Sequence, residues 1–176
     1  MNLPNKLSIV RVLCIPVIVV LLYLEPDECR IAAGIVFIVA SMTDFLDGFI
    51  ARKYKLVTDF GKFIDPVADK LLVLTTLIMM LHRGLMEAWI IVVVLARELA
   101  VDGLRMVAVN QGKVIAASKL GKIKTTCQMV LIIVSLLFNL PVLSEWFMIV
   151  LSSVTVAITL FSAVDYFVRN RSVFSS

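Results

Sequence analysis

Apolar residues in this chain neither alternate nor recur at amphipathic spacing. They run on in long stretches, and the charged residues gather between and at the ends of these stretches. A continuous apolar window of roughly 17 to 25 residues is long enough to cross the hydrocarbon layer as a helix. Six such windows lie at approximately residues 8–24, 31–50, 64–81, 86–109, 126–143 and 146–168. Turn signals fall between them at Glu25-Pro26-Asp27, Gly84, Asn110-Gln111-Gly112 and Pro141. The first window contains Arg11 and Pro16 and has no small-residue cleavage site, so it is expected to stay as a span and not to be removed as a signal peptide. The pattern predicts an all-α integral membrane protein, a six-transmembrane-helix bundle with residues 1–176 as one membrane domain, without internal repeats or low-complexity segments.

Composition sharpens this. Of 176 residues, 61 % are hydrophobic, against about 45–50 % in an ordinary soluble domain, and the mean hydropathy is +1.02. Six spans of about 20 residues leave no room for a soluble catalytic domain, so any chemistry belongs inside the bundle or at its edge. With a cytoplasmic N-terminus, only Arg30 and Arg83 of the 17 basic residues fall on the far side, together with Glu25, Asp27, Glu28, Glu87 and Glu145. That bias places both termini, and a polar cavity, on the cytoplasmic side. The net charge of +4 suits a membrane surface and anionic ligands. No nucleic-acid partner is expected, because the aromatic residues lack interleaved charge. Cys14, Cys29 and Cys127 form no CxxC or Cys/His pairing and read as packing residues. His82 reads as a solvated interface residue.

One stretch breaks the apolar rule. Asp44 and Asp47, three apart, share a helix face near the end of the second window, with Ala51 on the same stripe; Asp65 and Asp69, four apart, share a face at the start of the third. The segment between them holds Arg52, Lys53 and Lys55 and is read as a cytoplasmic loop. Both aspartate pairs are therefore expected near the cytoplasmic face. Four carboxylates close together repel one another and partly protonate unless something positive sits among them. Hard divalent cations with oxygen ligands fit that role, and one or two Mg²⁺ or Mn²⁺ ions suit in-line displacement at phosphorus. Gly48 and Gly61 would let a bulky ligand approach backbone. Arg52 carries the planar fork that pairs with a diphosphate. Taken singly, each position is better explained by helix packing or a structural acid. The set is not.

The pattern Asp44-x2-Asp47-Gly48-x2-Ala51-Arg52-x8-Gly61-x3-Asp65-x3-Asp69 resembles, position by position, the signature of the CDP-alcohol phosphatidyltransferase family. That resemblance implies a six-helix membrane enzyme, usually a homodimer, that moves a substituted phosphoryl group from a CDP-linked lipid to an alcohol and releases CMP. It also implies that Asp44, Asp47 and Asp65 bind the metal ions, that Asp69 is both a ligand and the base, and that Gly48, Ala51, Arg52 and Gly61 line the CDP pocket. An inner cytoplasmic membrane, with the active site on its cytoplasmic face, is the expected location.

The motif leaves the acceptor open. Glu98, Asp102 and Arg105 form one stripe of the fourth window, with Arg97 about 100° away, and charges at such depth face a bundle interior or a water-filled cavity. A salt bridge between Glu98 and Arg97 is the structural reading; Asp102 matches no family role. Ser118-Lys-Leu-Gly-Lys-Ile-Lys124 then sets Lys119, Lys122 and Lys124 around Gly121. Arg105, Ser118, Lys122 and Lys124 are candidates to bind a phosphorylated acceptor. The stretches NLPNKLSIVRV, TDFGKFIDPVADKLLV, ARELAVDGLR and AASKLGKIKTTCQM resemble family members that take CDP-diacylglycerol and sn-glycerol 3-phosphate. The alternatives are an inositol phosphate, phosphatidylglycerol or serine as acceptor and, remotely, a divalent-cation transporter.

Overall fold

The computed structural model describes residues 3–54, 59–116, 118–138 and 145–173; the side chains of 3–5, 44–54, 59–60, 62, 145 and 172 are outside the description. Among the described residues six α-helices and one short 3₁₀ turn follow in order: α1 Leu3–Tyr23, α2 Asp27–Tyr54, α3 Asp59–His82, α4 Ala88–Asn110, α5 Lys119–Leu137, α6 Glu145–Arg169 and η1 Arg171–Val173. Among the described residues there is no strand. Among the described residues three helical segments, Lys6–Tyr23, Lys119–Leu137 and Trp146–Arg169, are apolar enough to cross a membrane by length and composition alone.

The helices match the six apolar windows, with two informative differences. Arg52 and Lys53 lie in the last turn of α2 and not in a loop. Nothing after Gly48 breaks the helix, and cations are favoured at a helix C-terminus. The fifth helix begins earlier than its apolar window, at Lys119, because Ser118 caps it: the Ser118 hydroxyl accepts the Gly121 N–H at 2.9 Å. It ends at Leu137, short of the window's limit at 143; Pro141 lies outside the described residues. Gly84 and Gly112 close their turns with φ of 67° and 71°, a region open to glycine at little cost.

The chain divides into two compact units, Met1–Met86 with Ile132–Asn139, and Glu87–Leu131 with Leu140–Ser176. In the first, α1 packs on both α2 and α3, burying Ile18, Leu22, Phe37, Leu72, Leu77 and Met80. In the second, α6 and η1 pack on α4 around Val101, Leu104, Ala108, Tyr166 and Val173. Both units enclose polar side chains beside these apolar cores and expose apolar ones. Arg11, Thr76, Lys124, Gln128, Thr155 and Ser162 are enclosed, whereas Leu13, Ile35, Val92, Trp146 and Phe161 stand open. Lipid tails impose no penalty on exposed apolar side chains, and polar groups must then find partners inside. Thr76, Thr155 and Thr159 do so by donating to the carbonyl four residues back. The three cysteines are free, and exposed His82 stacks on Tyr23 at 5.5 Å between ring centroids.

Arg30 and Arg83, the two cations assigned to the far side, are both committed to backbone. Arg30, 4 % exposed, donates to the carbonyls of Ser135 and Phe138 at 3.3 and 2.9 Å, closing the end of α5, and pairs with Asp27 at 3.3 Å. Arg83 donates to the carbonyl of Glu25 at 2.5 Å. Gly34 permits the close approach beside Arg30, since a Cβ there would meet Leu137 Cδ2 at 2.8 Å. Replacing Arg30 with Met keeps the stem and removes the cap, leaving buried carbonyls at the α5 terminus. The expected loss is about 1.5–3 kcal/mol, read by equilibrium unfolding in mixed micelles; an unchanged midpoint would show that α5 ends without this cap.

Candidate functional site

The aspartate motif falls entirely in the first unit. Asp44, Asp47, Gly48, Ala51 and Arg52 stand on the last turns of α2, and their side chains lie outside the described residues. Gly61, Asp65 and Asp69 stand on the first turns of α3. Gly61 is buried, and Asp65 and Asp69 are half-buried, one turn apart on one face. Pro66, which has no N–H, cannot donate to the carbonyl of residue 62, so the helical ladder is broken within the motif. Asp65 accepts a hydrogen bond from the Ser8 hydroxyl of α1 at 2.5 Å. Among the described residues that is its one hydrogen bond, and its Oδ2 accepts none.

These residues fit a hard divalent cation by chemistry. Asp65 and Asp69 are carboxylate oxygen donors, one with an uncommitted oxygen, and the remaining carboxylates of the motif, Asp44 and Asp47, are of the same kind. Among the described residues no three His, Cys, Asp or Glu side chains form a metal-sized group.

The second unit holds the charged residues of α4 and α5. Glu98 Oε1 accepts from Arg97 Nη1 at 3.1 Å and from Lys124 Nζ, and Arg97 Nη2 donates to Ser162 of α6 at 3.0 Å. The expected Glu98–Arg97 pair is therefore present, with Lys124 added. These three side chains are 11, 9 and 5 % exposed. A Cβ at Gly121 would meet the Ser118 hydroxyl at 3.3 Å and Arg97 Nη2 at an ordinary contact distance of 3.6 Å. Among the expected acceptor residues, Arg105 donates through Nε to the Tyr166 hydroxyl at 2.8 Å, Ser118 caps α5, Lys122 is exposed, and Lys124 is enclosed against Glu98. Asp102 is half-buried on α4.

A cavity of about 410 Å³ opens in this unit, with Lys113, Ser118, Tyr166, Arg169 and Asn170 among its lining. Arg169 spends its Nε on Asp165 at 2.6 Å, and Asn170 donates to the Tyr166 carbonyl at 2.7 Å. Of the acceptor residues expected from sequence, Ser118 lines it directly, and Arg105 reaches it through Tyr166. Lys113 and Arg169 were absorbed in the sequence by the general excess of cytoplasmic cations. Their only distinguishing mark is a position at the end of a helix or just beyond it. Ser8 and Arg11 carried a clearer signal, two polar residues three apart inside an apolar span.

Comparison with known proteins bears on the family of the chain. A family model described as CDP-alcohol phosphatidyltransferase matches residues 1–161. A CDP-diacylglycerol–glycerol-3-phosphate 3-phosphatidyltransferase of Bacillus subtilis (strain 168) is 42 % identical over 183 aligned positions, covering 96 % of this chain and 95 % of the relative. A protein of the same name from Rickettsia typhi is 46 % identical, covering 73 % of this chain and 72 % of its own. Another, from Shigella flexneri serotype 5b, is 35 % identical, covering 97 and 96 %.

Proposed function

Because this chain belongs to the CDP-alcohol phosphatidyltransferase family, we propose that it transfers the phosphatidyl group of CDP-diacylglycerol to sn-glycerol 3-phosphate, giving phosphatidylglycerophosphate and CMP. The observation that carries this reading is the aspartate motif, whose second half stands on one face of α3 with Asp65 held by α1. The names of the relatives support the choice of acceptor.

In this reading the free primary hydroxyl of the acceptor forms a bond to the phosphorus bearing diacylglycerol. The bond from that phosphorus to the CMP oxygen breaks, CMP leaves with the electron pair, and the hydroxyl proton passes to Asp69. Asp44, Asp47, Asp65 and Asp69 would hold Mg²⁺ or Mn²⁺, two ions per site, which when bound supply positive charge at the diphosphate. Arg52 pairs with the diphosphate, and Gly48, Ala51 and Gly61 keep the CDP pocket open. The lipid's tails remain in the bilayer.

The acceptor's phosphate is assigned to Arg105, Ser118 and Lys122, extended by Lys113 and Arg169 of the cavity. Lys124, which shares Glu98 with Arg97, would add charge without a fully free donor. Cytoplasmic termini, an active site at the cytoplasmic face of the inner membrane, and a homodimer complete the proposal. The single membrane domain is part of it.

The test is CMP release by the purified protein with CDP-diacylglycerol and Mg²⁺, adding glycerol 3-phosphate, inositol phosphate, phosphatidylglycerol or serine separately. Release with glycerol 3-phosphate alone is expected. Release with another acceptor would keep the aspartate chemistry and discard this acceptor assignment. No release with any, combined with Mg²⁺ uptake into sealed liposomes, would replace the enzyme with a transporter. In the same assay Arg169→Gln is expected to raise KM for glycerol 3-phosphate about tenfold, the value of one charge-assisted bond, with KM for CDP-diacylglycerol unchanged. A uniform fall in kcat would remove Arg169 from the acceptor site.

A further inference from the structure

We propose that Ser8 of α1 is a positioning residue for the cation site, holding the Asp65 carboxylate by one oxygen so that the other is presented to a divalent ion. The inference rests on the metal reading given above and extends it to a helix that the aspartate motif does not include. Ser8 is 0 % exposed, and its hydroxyl donates to Asp65 Oδ1. Asp65 accepts no second hydrogen bond among the described residues.

A carboxylate on a helix rotates about two side-chain torsions, and each freedom must be lost when an ion binds. A neutral donor on one oxygen removes that freedom beforehand, yet leaves the charge undiminished. A cation in the place of Ser8 would compete with the metal, and an apolar residue would leave the carboxylate free to turn. A hydroxyl satisfies both conditions. Groups that orient metal ligands in this way are typically worth about 10–100-fold in metal affinity.

The proposed role also gives a reason for a polar residue in this span. The segment Lys6–Tyr23 is otherwise strongly apolar, yet it encloses both Ser8 and Arg11, three residues apart and each 0 % exposed. Polar side chains enclosed within an apolar span need partners inside the protein and point to function. Ser8 lies where α1 packs on α3, and so the helix brings a hydroxyl to a carboxylate 57 residues away in sequence.

Two variants of equal shape isolate the hydroxyl. Ser8→Thr and Ser8→Val each add carbon at the same buried position, and only Thr keeps the O–H. Binding of Mn²⁺ to the purified protein without lipid substrate is read by electron paramagnetic resonance of the unbound ion. Thermal stability without metal and CMP release are read in parallel. Ser8→Val is expected to bind Mn²⁺ about tenfold more weakly than Ser8→Thr, at similar metal-free stability, with CMP release restored by raising Mn²⁺. Equal Mn²⁺ affinity in the two variants would overturn the proposal and leave the proposed function standing. Absence of Mn²⁺ binding in the unsubstituted protein would overturn the metal reading and this proposal with it. Should both variants fail to fold, Ser8→Ala, which only removes the oxygen, is compared with the unsubstituted protein by the same criteria.

Discussion

Asp69→Asn is expected to lower CMP release by about 10³-fold or more, whichever acceptor is supplied, while leaving thermal stability in detergent nearly unchanged. The amide keeps the shape of the carboxylate but cannot take a proton, and removal of a general base alone costs about 10²–10⁴-fold. Loss of a charged oxygen ligand adds to that. Asp69 is half-buried one turn beyond Asp65 on α3, so the substitution alters the site's charge without opening a cavity. Mn²⁺ binding by the same variant separates its two proposed roles. Retained binding with lost turnover assigns Asp69 to proton transfer, and lost binding assigns it to the ions. Near-normal CMP release would remove Asp69 from both.

The second large effect is on stability. Glu98→Gln is expected to cost about 3–5 kcal/mol, the usual consequence of removing one partner from a buried ion pair. Glu98 Oε1 serves both Arg97 and Lys124, and none of the three side chains is more than 11 % exposed. Without the carboxylate, two cations remain enclosed with an amide between them. The Arg169–Asp165 pair is the internal comparison, because Arg169 is 71 % exposed and solvent screens it. Asp165→Asn is therefore expected to cost less than about 1 kcal/mol. Equilibrium unfolding in mixed micelles reads both. Similar small losses would mean that the Glu98 cluster is well hydrated and does not hold α4, α5 and α6 together.

Sequence by itself determined the helices and the class of chemistry. Lipid removes every alternative partner for the backbone, so an apolar run of sufficient length has to be a helix, and no long-range information is needed to read it. The aspartate pattern was equally legible, since its spacing is local to two helix ends and the intervening segment. Chain order could not show which distant side chains meet. The hydroxyl of Ser8 reaching Asp65, Lys124 joining the Glu98–Arg97 pair, and Arg30 closing the end of α5 link positions 57, 26 and 105 or more residues apart. At the ends of the apolar spans one lysine or arginine looks like another. Packing alone decides which is enclosed against a carboxylate, as Lys124 is, and which lines a cavity, as Lys113 and Arg169 do. The physical reason is that helix formation in a membrane is settled within each segment, whereas partners for buried charge are settled only when the segments pack.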